Sequence, residues 1–179
     1  MSDNKKKNFA FIDSQNLNLG ILNQGWKLDW KRLRVYLQEK YQVQTAYLFL
    51  GFMPANKKLY DFLKNCGYQI IFKPVITIKG REIKGNVDAE LVLQSSAIDF
   101  NIYDKAILIS GDGDFYCLVK YLLKHSKLER ILVPNKFSYS VLLRRAIGPI
   151  GYIAFFNDLR KLLEYKSSTN ESGAFGGST

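Results

Sequence analysis

Short apolar runs alternate with amphipathic segments along the chain. Asn8–Ile12 (NFAFI), Val43–Phe52 (VQTAYLFLGF), Tyr68–Phe72 (YQIIF), Lys105–Ser110 (KAILIS) and Arg130–Val133 predict five strands, with Tyr152–Phe156 as a sixth. Helical spacing predicts a helix from an Asp29 N-cap to about Lys40, with Trp30, Leu33 and Leu37 on one face. Further helices are predicted over Asn56–Cys66, closed by Gly67, and over Asn86–Phe100. Another runs from Asp112 or Asp114 to about His125, and two more cover Ser138–Ile147 and Asp158–Tyr165. Between the third strand and the Asn86 helix, Val75–Gly85 alternates about Lys79-Gly80-Arg81, which predicts a hairpin-like excursion. Residues 8–165 form one expected domain, with 1–7 a basic arm and 166–179 a mobile Ser/Gly-rich tail.

Strands separated by helices imply βαβ units with right-handed crossovers. The expected architecture is α/β: three layers, α/β/α and Rossmann-like, around a mainly parallel sheet of five to six strands. Continuous apolar runs such as YLFL and AILI suit strands buried on both faces. An order 3-2-1-4-5 makes the first and fourth strands neighbours, and ligands bind at the carboxyl ends of strands where the order reverses.

Composition narrows the chemistry. The chain is 47% apolar and 14% aromatic, enough for a buried core, and it carries a net charge of +10. Lys5, Lys6 and Lys7 account for only three of those charges, so the folded part is basic as well. A basic domain favours polyanions such as RNA, DNA or an anionic membrane surface, or is simply a basic soluble protein. Cys66 and Cys117 are the only cysteines and are expected as buried free thiols. His125 is the only histidine. A zinc site, a Ser-His-Asp triad and a Cys-His dyad are therefore poorly supplied, and a metal would need oxygen ligands. No apolar run approaches the ~20 residues of a membrane helix, and Phe9–Ile12 is too short for a signal segment. A cytoplasmic protein with no membrane partner is expected.

Asp13 follows the first strand, and Asp112 follows Gly111 at the end of the fourth. Asp114 lies at the entrance to the next helix, and Asp88 in the first turn of the helix leading into the fourth strand. The expected topology brings these four acids together. Such a cluster repels itself and calls for a cation; Mg²⁺ or Mn²⁺ suits oxygen ligands and can polarise a phosphodiester and acidify a water. Asn16, near Asp13, is placed to hydrogen-bond a water or phosphate oxygen. Each acid also has a structural reading: Asp13 in an Asx-turn, Asp88 as an anion at a helix start, and either Asp112 or Asp114 as an N-cap. Gly111 and Gly113 leave backbone room around Asp112.

These residues resemble a family. FIDSQNLN (Phe11–Asn18) is similar to the F-[IV]-D-x-x-N opening of NYN domains, a branch of the PIN-like nucleases. KGNVDAEL (Lys84–Leu91), ILISGDGDFYCLV (Ile107–Val119) and VPNKFSYSVLLRRA (Val133–Ala146) resemble its later segments, with a resemblance to the bacterial LabA-like group. The resemblance covers roughly Phe9 to Leu163. It implies a PIN-like parallel sheet, a metal-binding acidic pocket of Asp13, Asp88, Asp112 and Asp114 with Asn16 as auxiliary, and in several members endoribonuclease activity. The chain departs from the family at Gln94 and Ile147, where many relatives carry acids. Several LabA-like relatives have regulatory roles.

For nucleic acid, Lys73, Lys79, Arg81 and Lys84 bracket the hairpin and lead to Asp88, while Lys136, Arg144 and Arg145 form a second basic patch. The alternative for both is a solvated basic surface. Phe137 or Tyr139 offers a ring for an unpaired base or, alternatively, ordinary packing. Two functions follow: a metal-dependent endoribonuclease acting on single-stranded or structured RNA, or a non-catalytic RNA-binding regulatory module. A homodimer is an open option. An α/β phosphatase is disfavoured, because Gln15 stands where a second Asp would follow the first strand's nucleophile.

Overall fold

The computed structural model describes residues 6–73, 76–78, 81–83, 87–148 and 151–166, with side chains left aside over 76–78 and 81–83. The main sheet contains β1 (Asn8–Asp13), β2 (Val43–Gly51), β3 (Gln69–Lys73), β6 (Ala106–Ile109), β7 (Leu128–Val133) and β8 (Ile153–Phe155). Its order is β3-β2-β1-β6-β7-β8, and every pairing is parallel. The expected 3-2-1-4-5 order is present, with β8 added at the edge. A separate antiparallel pair, β4 (Ile76–Ile78) and β5 (Arg81–Ile83), forms the expected hairpin.

Alternation along β1 explains the layering. Ala10 and Ile12 face one core with Leu17, Ile21, Leu33, Leu37 and Leu163. These helical residues belong to α1 (Ser14–Leu22), α2 (Trp30–Tyr41) and α7 (Phe156–Leu163). Phe9 and Phe11 face the opposite core with Leu91, Leu118, Leu122 and Leu143. These come from α4 (Asp88–Leu93), α5 (Tyr116–Lys124) and α6 (Val141–Ile147), while α3 (Lys57–Asn65) adds Leu63 to the first core. Successive strand residues point to opposite faces, so a strand apolar throughout is covered on both sides.

Local chemistry sets most helix ends. Asp29 caps α2 by accepting from Arg32 N at 3.0 Å, as its position suggested. Gly67 follows α3 with φ +91°, a conformation that costs a residue without a Cβ little. Two elements differ from expectation. Residues 14–22 form α1, a helix that apolar spacing did not reveal. The helix expected over Asn86–Phe100 is α-helical only to Leu93 and continues as a π-helical turn over Gln94–Ile98. Of the two free thiols, Cys66 is half-buried and Cys117 is exposed, correcting the expectation that both are buried. Cys117 sits on the solvent side of α5, whose opposite face buries Leu118, Val119 and Leu122. Among the described residues no helix is long and apolar enough to cross a membrane. Residues 1–5 of the arm and 167–179 of the tail lie outside the described residues.

Candidate metal centre

The register of β1 against β6 builds the site. Ile12 pairs with Ile109, so Asp13 and Ser110, one residue further on, emerge side by side at the carboxyl edge. Ser110 is fully buried and its hydroxyl is bound twice. It donates to Asp13 Oδ2 at 3.3 Å and accepts from Asp112 N at 3.1 Å. Ser110 thus couples the two strand ends. Its place in the SGDGD run is the one sequence signal for this role, and a serine there carries no charge to mark it.

Asp13 is only 5% exposed and caps α1, its Oδ1 accepting from Asn16 N at 3.0 Å. Burial pushes its carboxyl up to about 6 from 3.8, and the negative charges of Asp88 and Asp112 push the same way. The Asn16 amide and the Ser110 hydroxyl oppose that rise. Asp112 caps the short 3₁₀ turn Gly113–Phe115, its Oδ1 accepting from Asp114 N at 3.1 Å. The choice between Asp112 and Asp114 as N-cap is therefore Asp112.

Asp88, Asp112 and Asp114 each place one carboxylate oxygen within 4.8 Å of the others. Asp88 and Asp112 are half-buried and Asp114 is exposed. The trio could hold a divalent ion: three hard oxygen donors from two separate segments, open to solvent on the Asp114 side. Asp13 is not one of the three. It is the more buried neighbour, within electrostatic reach of Asp88 and Asp112, so the four expected acids comprise three grouped carboxylates and one buried acid nearby.

Asn16 makes a structural bond through its side-chain oxygen. Its Oδ1 accepts from Gly111 N at 2.9 Å, joining α1 to the SGDGD loop. The glycines are likewise occupied by packing. A Cβ on Gly113 would lie 2.3 Å from Ser140 Oγ, and one on Gly111 would lie 3.2 Å from Tyr139 Cβ. The room around Asp112 is filled by the segment before α6, which also hydrogen-bonds the loop through Ser140 N to Gly111 O at 3.0 Å.

The two positions where the family pattern carries acids are spent elsewhere. Gln94 Nε2 donates to Asp99 Oδ2 at 2.8 Å, and Ile147 is buried in the second core.

Of the basic residues, Lys73 ends β3 and pairs with Glu90 at 3.4 Å. Arg81 opens β5, and Lys79 and Lys84 lie outside the described residues. Lys136, Arg144 and Arg145 are exposed, and none makes an ion pair among the described residues. Lys136 Nζ lies 5.2 Å from the centre of the Phe137 ring, which is 81% exposed. Tyr139 instead packs edge-on against Phe155 at 5.5 Å. The structure thereby separates the two aromatics: Tyr139 packs, and Phe137 is offered to solvent. His125 ends α5 against the rings of Tyr121 and Phe100.

Residues 9–148 match the family described as NYN domain. Low amplitude and bright protein LabA of Synechococcus elongatus is 27% identical over 167 residues, with 86% of each chain covered. A crystal structure of a protein of unknown function from Vibrio parahaemolyticus superposes with a TM-score of 0.69 at 22% identity. It covers 91% of this chain and 99% of its own, a likeness of fold.

Proposed function

The chain belongs to the NYN domain family, and from that premise we propose that it is a metal-dependent endoribonuclease that hydrolyses RNA phosphodiester bonds at the Asp88–Asp112–Asp114 pocket. The observation that carries this reading is the convergence of those three carboxylates at the carboxyl edge of the sheet, where β1 and β6 meet at the reversal of strand order. Mg²⁺ or Mn²⁺ held by Asp88, Asp112 and Asp114 would polarise the phosphodiester and make an attacking water more acidic. Ser110 and Asn16 fix the loop that carries Asp112, so the carboxylates need little rearrangement to bind. His125 sits at the far end of α5, which leaves proton acceptance to a carboxylate. Exposed Lys136, Arg144 and Arg145 supply positive charge for the RNA backbone.

The test is incubation of purified protein with labelled RNA and DNA in Mn²⁺, Mg²⁺ or EDTA, alongside Asp112→Asn. The reading expects RNA cleavage with metal, none in EDTA, and a folded Asp112→Asn protein that still binds RNA without cutting it. Wild-type protein that binds RNA and never cleaves it would leave a second reading, a non-catalytic RNA-binding regulatory module. The commitment of Gln94 to Asp99 and of Ile147 to the core favours that second reading, because both positions lack a carboxylate.

A further inference from the structure

A cavity of about 390 Å³ opens beside the acidic trio, between α1, the end of β2 and α3. Ser14 and Gln15, which directly follow Asp13, form one wall, and Val87, which directly precedes Asp88, forms part of another. The cavity thus adjoins the trio at Val87–Asp88 and the buried Asp13 at Ser14, along one edge of the sheet.

Its chemistry is distinct from the rest of this basic protein, since none of the residues lining it is charged. Leu19, Leu50, Leu59 and Met53 offer apolar surface, while Gln15, Asn18 and Asn56 offer carboxamides. Asn56 ends the 3₁₀ turn Pro54–Asn56 that runs into α3, and its side chain makes no cap bond to the helix. Among the described residues its Nδ2 has only a 3.8 Å contact with Met53 Sδ. The Gln15 and Asn18 side chains are exposed and make no hydrogen bond among the described residues. Tyr60 is held rigidly by Met53 N, which donates to its hydroxyl at 2.9 Å.

We infer that this cavity receives an unpaired nucleobase of the nucleotide next to the phosphate held at the Asp88–Asp112–Asp114 centre. A phosphate would be desolvated there without a cation, which is costly. A base has two apolar faces and an edge of donors and acceptors, matching aliphatic walls with carboxamides at hand. The volume lies near the small end of the ~300–1,000 Å³ range of small-molecule sites, which fits one base and excludes a duplex. The substrate is accordingly single-stranded at that position. This inference rests on the ribonuclease reading for its choice of polymer, but its test does not depend on cleavage.

The experiment records side-chain amide resonances of Gln15, Asn18 and Asn56 in the full chain titrated with each of the four nucleoside 5′-monophosphates, and with ribose 5-phosphate as the control lacking a base. At least one monophosphate is expected to shift these amides while ribose 5-phosphate leaves them in place, and Asn56→Leu is expected to weaken that monophosphate about tenfold. Asn18→Leu, at an exposed helical position, gives a second variant should Asn56→Leu fail to fold. Shifts without any RNA cleavage would keep the base site and remove the nuclease. Metal-dependent cleavage with amides unmoved by every monophosphate, or moved equally by ribose 5-phosphate, would keep the nuclease and overturn the base site.

Discussion

Asp13→Asn should stabilise the metal-free protein at neutral pH. Asp13 is buried, and its carboxyl titrates near 6 in the fold against 3.8 in an ordinary setting. Below the lower value both folded and unfolded chains hold the proton, and Asp13 carries no charge penalty. Between the two values the unfolded chain releases its proton first, so stability falls as pH rises and levels off above about 6. A shift of that size corresponds to about 3 kcal/mol of net destabilisation at neutral pH, chiefly from burial with repulsion by Asp88 and Asp112 added. Asn keeps the acceptor for Asn16 N and can donate to Ser110 Oγ, so the cap survives the change. Urea unfolding in EDTA is expected to show the Asn variant about 2–3 kcal/mol more stable at about pH 7.5, with the gain falling to about 0.5 kcal/mol at about pH 4. A thermal melt should move upward by about 2–4 °C for each kcal/mol. An Asn variant less stable than wild type at both pH values, or a difference that does not change with pH, would refute the assignment of Asp13 as a buried, strained acid.

Three further outcomes follow from the geometry. Gly113→Ala sets a Cβ against Ser140, so it should cost about 1–3 kcal/mol in chemical denaturation, and adding Ser140→Gly should recover part of that loss. Asn16→Ala leaves Gly111 N without its partner and should cost about 1–3 kcal/mol of stability, read by thermal melting. Phe137→Ala removes an exposed ring, so stability should hold within about 0.5 kcal/mol. The same variant should bind single-stranded RNA more weakly by about 1–3 kcal/mol in fluorescence anisotropy, the range expected of one stacked base.

The sheet was legible because its strands are continuously apolar and its caps are chemically marked. Leu48 and Phe49 of YLFL and all of AILI lie buried in β2 and β6, and Asp29 and Gly67 bound their helices as their types suggest. The same logic located Asp13 and Asp112 at adjacent strand ends. What escaped was decided by contacts between segments remote in sequence. α1 buries Leu17 and Ile21 but leaves Leu19 and Leu22 exposed, which blurs its periodicity. The π-helical turn after Leu93 is a change of hydrogen-bond register that apolar spacing does not encode. Gly113 signals a need for space without saying that Ser140 fills it. Ser110 is a small residue whose twin bonds, to the Asp13 carboxylate and from Asp112 N, appear only when β1 and β6 are set side by side.

The claim that carries the account is that Asp88, Asp112 and Asp114 bind one divalent ion together. Titration of metal-free protein with Mn²⁺, followed by the loss of the free-ion electron paramagnetic resonance signal, tests it without any substrate. Wild-type protein should take up the ion, and Asp112→Asn should lose that uptake while keeping a native melting profile. No uptake by the wild type, or equal uptake by the Asn variant, would contradict the claim.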